Sequence, residues 1–522
     1  MFKNKKTLNI FLIIILIVLM SGIIFFYQTK KIGFHEDEVY TIASSVNPDN
    51  GLMSVYGENN TPKWISKDYA KNYVTLSTNN YMNLKSVFLN QSYDNHPPFF
   101  YILVHFSSIL FCGEFTKYTV FVVNLIAFIL SCFVITKILK LLNKENLTFS
   151  TLIFYGLSMG TISMVIYQRM YMLLTFFILL YFYYSLKIYK NNFNITKRNI
   201  IELGLITVLG FLTQYFFAIY AFLIFILMIL KMLKDKIDKK IIVKYTISHI
   251  IYAIIGIVSF VPCIHHLFFS SRGLSNLQNT NYFVHLYYYL KHLAFSFTIN
   301  NNSLLLMMFT LLVFFIALIF VAKKSKEKFV IILSIVPSIV YFFITVKMTS
   351  FQELRYIMPV IPFICIILFL ILDTLLEKVK YKNTIMIILA IILSLNGFIF
   401  SKPKFLFEEY NKCLEIAEQN KDKSFIYVYD NFFNHMQSMP EFMIYEKSLI
   451  INDNMNELQY VIDNYELNNE NSYILCIKSY MNNDDILDKI KNNTDFKNIT
   501  QLYKSNGSST EMISNNLYLV SK

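Results

Sequence analysis

Residues 9–40 read NIFLIIILIVLMSGIIFFYQTKKIGFHEDEVY. The stretch 9–27 carries no charge, and at about 1.5 Å per residue it reaches across roughly 30 Å of hydrocarbon as a helix. KNKK precedes it at 3–6, in the manner of a secretory signal. The run is longer than a signal core, and no small-x-small cleavage site follows, so it reads as an uncleaved first span. Directly beyond it come His35, Glu36, Asp37 and Glu38, the densest acid in a basic, apolar chain.

The same pattern recurs to residue 400. Of 522 residues, 55% are apolar and the mean hydropathy is +0.46. The apolar residues come in long runs rather than in the mixed pattern of a soluble multi-domain chain. Spans are expected at 9–27, 119–141, 147–166, 170–188, 199–213, 216–232, 247–267, 303–322, 329–346, 356–376 and 383–400. A stretch at 97–112, led by two prolines, is either half-inserted or hides an extra turn. The net charge of +13 sits in KNKK, KMLKDKIDKK, KKSKEK and EKVKYK, beside or between the runs. That is how cytoplasmic loops look, and it argues against nucleic acid as the partner.

By the positive-inside rule the N-terminus is cytoplasmic. The pieces 28–96, 167–169, 214–215, 268–301 and 347–355 and the tail from 401 then face outside, with 11 or 13 spans in all. Lys30 and Lys31 go against the rule locally. The reading is an all-α multi-pass protein of the plasma membrane, with a transmembrane domain at 1–400 whose first outside loop is 28–96. The tail 401–522 alternates strand-like SFIYVYD, SLIIN, SYILCIKSY and NNLYLVSK with helix-like NELQYVIDNY and NDDILDKIKNN, so a small extracytoplasmic α/β domain is expected there. Cys112, Cys132, Cys263 and Cys365 lie in apolar runs. Cys413 and Cys476 lie in the tail, where a disulfide is open, and no CxxC occurs.

Chemically capable groups gather on the outer side. They are Glu36 to Glu38; Asp94, His96 and the Pro97–Pro98 pair; Gln168, Arg169 and Tyr171; Gln214 and Tyr215; His265, His266 and Arg272; and Lys347, Glu353, Arg355 and Tyr356. Each has a plain structural role open to it. Asp37 can cap a helix starting at Glu38, the two prolines can open a helix, and the arginines can snorkel to lipid phosphate. Together they suit another task. A carboxylate at a membrane edge can act as general base on a hydroxyl or amine. Arginines at the same level can grip a phosphate leaving group, and grooves between spans can hold a lipid tail. The same outer groups could instead serve a transporter or flippase, although no internal repeat of the kind common in transporters is visible.

Four motifs in order, HEDEVY (35–40), YDNHPPFFYILVHF (93–106), YQRMYMLL (167–174) and ELRYIMPVIP (353–362), resemble those of the protein-O-mannosyltransferase-like membrane glycosyltransferases. These are glycosyltransferase family 39 and its Rgt-type and aminoarabinose-transferase relatives of the GT-C superfamily. The resemblance covers about residues 9–400. It implies a polyprenyl-phosphate monosaccharide donor and inverting transfer to an extracytoplasmic acceptor, a glycan, lipid or protein of the envelope. It implies catalysis by Asp37 with Glu38 beside it, and donor-phosphate contacts from Arg169 and Arg355. Asp94, His96, Tyr171, Gln214 and Tyr356 would shape the substrate pocket. Glu36 is an extra acid relative to the motif, and Gln214 stands where some relatives carry Lys or His. His35, Glu36 and Asp37 are candidate ligands for a divalent cation, and no other cofactor is expected. A ligase or polymerase moving whole lipid-linked oligosaccharides shares this topology and chemistry.

Overall fold

The computed structural model describes residues 5–48, 53–57, 61–270, 281–297, 316–319, 323, 328–453, 457, 460–461, 464, 470–505 and 514–522. Arg272, most of the expected 303–322 span and most of NELQYVIDNY lie outside the described residues. The chain forms two compact units. One comprises residues 1–27, 91–100 and 121–403, and the other 28–90, 101–120 and 404–522.

The first unit is helical. Among the described residues, eight helices are long and apolar enough to cross a membrane, from Thr7–Lys30 to Lys382–Phe400. The protein is a polytopic helical membrane protein. Eleven spans were placed in the sequence, with 11 or 13 expected in all, and three of those eleven are not among the eight. The 147–166 run is two helices bent by 60°, because Ser158 takes extended backbone and caps the second half by accepting from the Thr161 N–H. Residues 199–213 lie in a 17-residue helix, Lys197–Thr213, about 26 Å long. The third, 303–322, lies mostly outside the described residues. The span placed at 247–267 runs instead over Lys239–Ser259, since Asp238 caps it inside the Lys-rich loop and the chain breaks at Phe260 ahead of Pro262. The 97–112 stretch is a short helix beginning at Phe99, directly after the two prolines.

The first helix turns Ile10, Val18, Leu19 and Phe26 outward, as a lipid-facing helix does. Among the described residues, Tyr171–Lys190 and Leu354–Leu375 are the most enclosed spans, with 72% of the apolar stretch buried in each. Both begin at an arginine motif. Gly160 lets the Met159–Ile166 helix approach the Tyr282–Ser296 helix at Ser296, where any Cβ would collide. That second helix grips the irregular segment leading to Arg355: Tyr289 donates to the Phe351 carbonyl at 3.0 Å, and His292 Nε2 to that of Gln352 at 2.8 Å.

The second unit is built on a six-stranded sheet of order β1–β3–β2–β4–β6–β5. The strands are β1 Trp64–Ser66, β2 Ser424–Tyr429, β3 Lys447–Asn452, β4 Ser472–Lys478, β5 Asn498–Tyr503 and β6 Asn515–Ser521. β3, β2 and β4 run parallel, and the others pair antiparallel. The central strands are buried on both faces, which is why β2 reads as an unbroken apolar run. Ile486 and Ile490 of the Asn483–Asn493 helix pack on one face with Val428, Leu449 and Leu475. Four strands and this helix follow the sequence reading. β1 was not foreseen, because three residues carry no usable period, nor was β5, a mostly exposed polar edge. Cys413 and Cys476 are buried free thiols, not a disulfide.

Candidate active site

The acidic turn belongs to the second unit. Its helix runs from Glu36 to Val46, and the cap is His35, not Asp37. His35 Nδ1 accepts the Asp37 N–H at 3.1 Å, and Glu38 Oε2 accepts the His35 N–H at 2.8 Å. This is a reciprocal capping box with an imidazole in place of the usual hydroxyl. Because Nδ1 accepts, the ring proton lies on Nε2. Glu38 Oε2 also pairs with Lys31 at 2.9 Å, both side chains being fully buried. Lys31 donates to the Phe405 carbonyl at 2.6 Å and lies 5.0 Å from the Phe407 ring centre. Burial pulls the Lys31 ammonium below the usual lysine range, against the opposing charge of Glu38. Lys31 thus answers to a buried acid rather than to the membrane surface, which explains one of the two lysines that broke the charge rule.

Glu36 accepts from the Gln437 amide at 3.0 Å. The Asp37 side chain is 24% exposed. Glu38 is therefore fully buried on Lys31, while Glu36, held by Gln437, and Asp37, 3.9 Å from His35 Nδ1, are both partly exposed. Among the described residues no three His, Cys, Asp or Glu side chains converge to hold a metal ion. His35, Glu36 and Asp37 do not form such a group.

The arginines belong to the helical unit, at the turns that open its two most enclosed spans. Arg169 is 3% exposed and donates through Nη2 to His96 Nε2 at 3.0 Å. An arginine can only donate, so His96 Nε2 is the accepting nitrogen and Nδ1 carries the proton, which goes to Asp94 Oδ2 at 2.8 Å. The result is a carboxylate–imidazole–guanidinium chain. Burial alone would raise the Asp94 carboxyl, but His96 and Arg169 outweigh it and hold the group well below the usual carboxylate range.

Two residues earlier in the same turn, the Tyr167 hydroxyl accepts from Arg355 Nη1. Arg355 lies 2.9 Å from Glu353, an ion pair too oblique for a hydrogen bond, with both side chains about 5% exposed or less. Its guanidinium also stacks on Tyr356, 4.9 Å from the ring centre, and Tyr356 meets Tyr171 edge-on at 5.5 Å. Asn124 fixes the turn from another span by donating to the Tyr167 carbonyl at 2.8 Å.

Gln214 is buried as the C-cap of Lys197–Thr213. Next to it, Tyr215 pairs with His266 Nδ1 at 2.9 Å. The charge of Asp94 reaches both, so Tyr215 and His266 adjoin the same chain. His265 is exposed, with its ring edge-on to His266 at 6.4 Å. The sequence singled out the arginines, Asp94, His96, Tyr171 and Tyr356, and the fold brings them together. It gave no role to Tyr167 or Glu353. Glu353 lies two residues before Arg355, a spacing that hints at a partner only once the extended backbone there is known.

The chain matches no family model and no curated protein sequence. Its structure does have known counterparts. Superposed on crystal structures of ArnT from Cupriavidus metallidurans, it gives a TM-score of 0.57 with the form bound to undecaprenyl phosphate and 0.54 with the apo form. Each comparison covers 97% of both chains at 10% identity. The chain shares its fold with ArnT. The likeness runs through the C-terminal tail, beyond the residues covered by the four motifs. The protein-O-mannosyltransferase-like family is not singled out by it.

Proposed function

We propose that this protein is a membrane glycosyltransferase that moves a single sugar, with inversion, from a polyprenyl phosphate to an acceptor outside the plasma membrane. The observation that carries the reading is the pair of buried arginine turns at the starts of the two most enclosed spans, in a chain whose fold matches ArnT over 97% of its length. Arg169 directly precedes the Tyr171–Lys190 helix. A helix N-terminus and a guanidinium together favour a phosphate monoester or diester. His96 accepts without adding charge, so Arg169 keeps its positive charge while its fork is aimed by Asp94 one ring away.

In this reading Arg169 and Arg355 hold the phosphate of the donor and stabilise it as it leaves. Tyr171, Gln214 and Tyr356 line the sugar or acceptor pocket. Asp37 takes the proton from the acceptor nucleophile as it attacks the anomeric carbon on the face opposite the phosphate. Glu38, tied to Lys31, positions the turn rather than acting on substrate. The N-terminus lies in the cytoplasm, and residues 28–96 and 401–522 lie outside.

The test is mass spectrometry of polyprenyl-phosphate sugars and envelope glycans in cells with and without the protein. Loss of the protein should make one polyprenyl-phosphate monosaccharide accumulate and remove one sugar from an envelope product. Accumulation of a diphosphate-linked oligosaccharide instead would reassign the protein as a ligase or polymerase, and no change in either pool would end the proposal.

A further inference from the structure

The second unit contains a buried polar chain that ends on the acidic turn. Lys478, the last residue of β4, is 1% exposed, and its ammonium donates to Gln437 Oε1 and to Asn515 Oδ1, each at 2.9 Å. Asn515 donates in turn to Ser438 at 2.9 Å and to Glu441 at 3.3 Å. Gln437 is 3% exposed, and its other end meets Glu36 Oε2 at 3.0 Å. The direction of the amide follows from the chemistry of its neighbours. An ammonium only donates, so the oxygen of Gln437 must face Lys478, and its NH₂ must face the Glu36 carboxylate. Tyr427 and Tyr480 also feel the charge of Glu36, and His35, Asp37 and Glu38 share its turn.

A buried ammonium is costly without opposite charge nearby. Burial pulls Lys478 below the usual lysine range, and Glu36 and Glu441 oppose that pull. We infer that Gln437, aimed by Lys478, is a positioning residue: it holds Glu36 and thereby fixes the first helical turn that carries Asp37. The C-terminal region then does more than complete the sheet. Residues 401 positions apart in sequence set the orientation of the acid that, on the reading given above, removes the acceptor proton.

The test uses the full chain and two variants, Gln437→Ala and Gln437→Glu, each read by hydrogen exchange over residues 36–40 and by donor turnover. Gln437→Ala should speed exchange in that turn while leaving β2 and β4 protected. It should lower kcat by up to about 100-fold with the KM for donor lipid unchanged. Gln437→Glu has an added sign. At low pH the new carboxyl is protonated, has the shape of the amide and donates to Glu36, so the turn and turnover stay near wild type. As pH rises, one oxygen of the new carboxylate keeps Lys478 while the other, having lost its proton, faces the Glu36 carboxylate, so the turn loosens and kcat falls, with no such loss in the wild type. Wild-type exchange over 36–40 in Gln437→Ala, or a Gln437→Glu profile parallel to the wild type, overturns the inference. Absence of wild-type turnover on any polyprenyl-phosphate sugar counts against the proposed function instead, and the exchange result still decides the role of Gln437.

Discussion

The acidic turn and the arginine turns solve opposite electrostatic problems. In the sheet unit, like charges are crowded into three consecutive residues, and two of them are neutralised by buried partners, Lys31 for Glu38 and the Lys478–Gln437 chain for Glu36. In the helical unit, like charges are kept in separate turns, and each arginine has its own carboxylate, directly for Arg355 and through an imidazole for Arg169. The first arrangement buries Glu38 completely and ties Glu36 to an amide, and Asp37 stays partly exposed beside them. The second leaves two guanidiniums held in fixed orientation by tyrosine and histidine acceptors. The difference teaches that a dense charge motif need not be a dense site. Most of its charges hold one member in place.

The sharpest way to break this comparison is to exchange the roles of the acids. Asp37→Asn keeps size and removes the base, so turnover per folded molecule should fall by roughly 100- to 10,000-fold, whereas Glu36→Gln should be milder. A severe Glu36→Gln defect with Asp37→Asn near normal would show that the base is misassigned.

Next in size is the buried pair. Lys31→Met leaves the Glu38 carboxylate buried without its cation, which should cost about 3–5 kcal/mol and appear as a lower melting temperature and poor yield. Adding Glu38→Gln should recover much of that loss. Equal melting of the single and double variants would mean that the pair is not what holds the turn.

Glu441 sharpens the account of the same unit. Burial raises its carboxyl from 4.5 to about 7, against the hydrogen bonds of Ser438 and Tyr410. Below both values the folded and unfolded chains are equally protonated. Between them only the folded state keeps the proton, so stability should fall as pH rises from about 4.5 to about 7, by about 3 kcal/mol in all. Hydrogen exchange of the β4 and β6 amides at about pH 5 and about pH 8 measures this, and Glu441→Gln should flatten the dependence. A wild-type profile already flat would contradict it.

The smallest effect is expected from Arg169→Lys and Arg355→Lys. Each keeps the charge and loses the planar fork, so the KM for donor lipid should rise about tenfold. Unchanged donor use at limiting concentration in both would remove the arginines from the phosphate site.

Much of this architecture was legible in the sequence, and what was missed has a common cause. Apolar runs, Lys-rich loops and the strand patterns of the tail are local signals, and they located most of the spans and four of the strands. The arginines and acids were visible because ionisable groups beside hydrocarbon are costly and therefore conspicuous. Their partners were not. Lys31 looked like a misplaced loop charge, Tyr167 like one more aromatic in a span, and Gln437 like an unremarked polar residue in the tail. Each acquires its role from a residue distant in the chain or from a backbone conformation that no periodicity encodes. The bend at Ser158 and the cap at His35 were missed for a nearer reason. An apolar run hides a helix break, and an imidazole is not the residue expected at a capping box.

The central claim is that a polyprenyl phosphate is held by the arginine turns and processed by the acidic turn. Titrating purified protein in membranes with a polyprenyl-phosphate monosaccharide, against phosphatidylglycerol as a lipid phosphate of different class, tests it directly in wild type, Arg169→Ala and Asp37→Asn. The account predicts selective binding by the wild type, equal binding without turnover by Asp37→Asn, and weakened binding by Arg169→Ala. Binding no stronger than that of phosphatidylglycerol, or binding that Arg169→Ala leaves intact while Asp37→Asn still turns over, would contradict it.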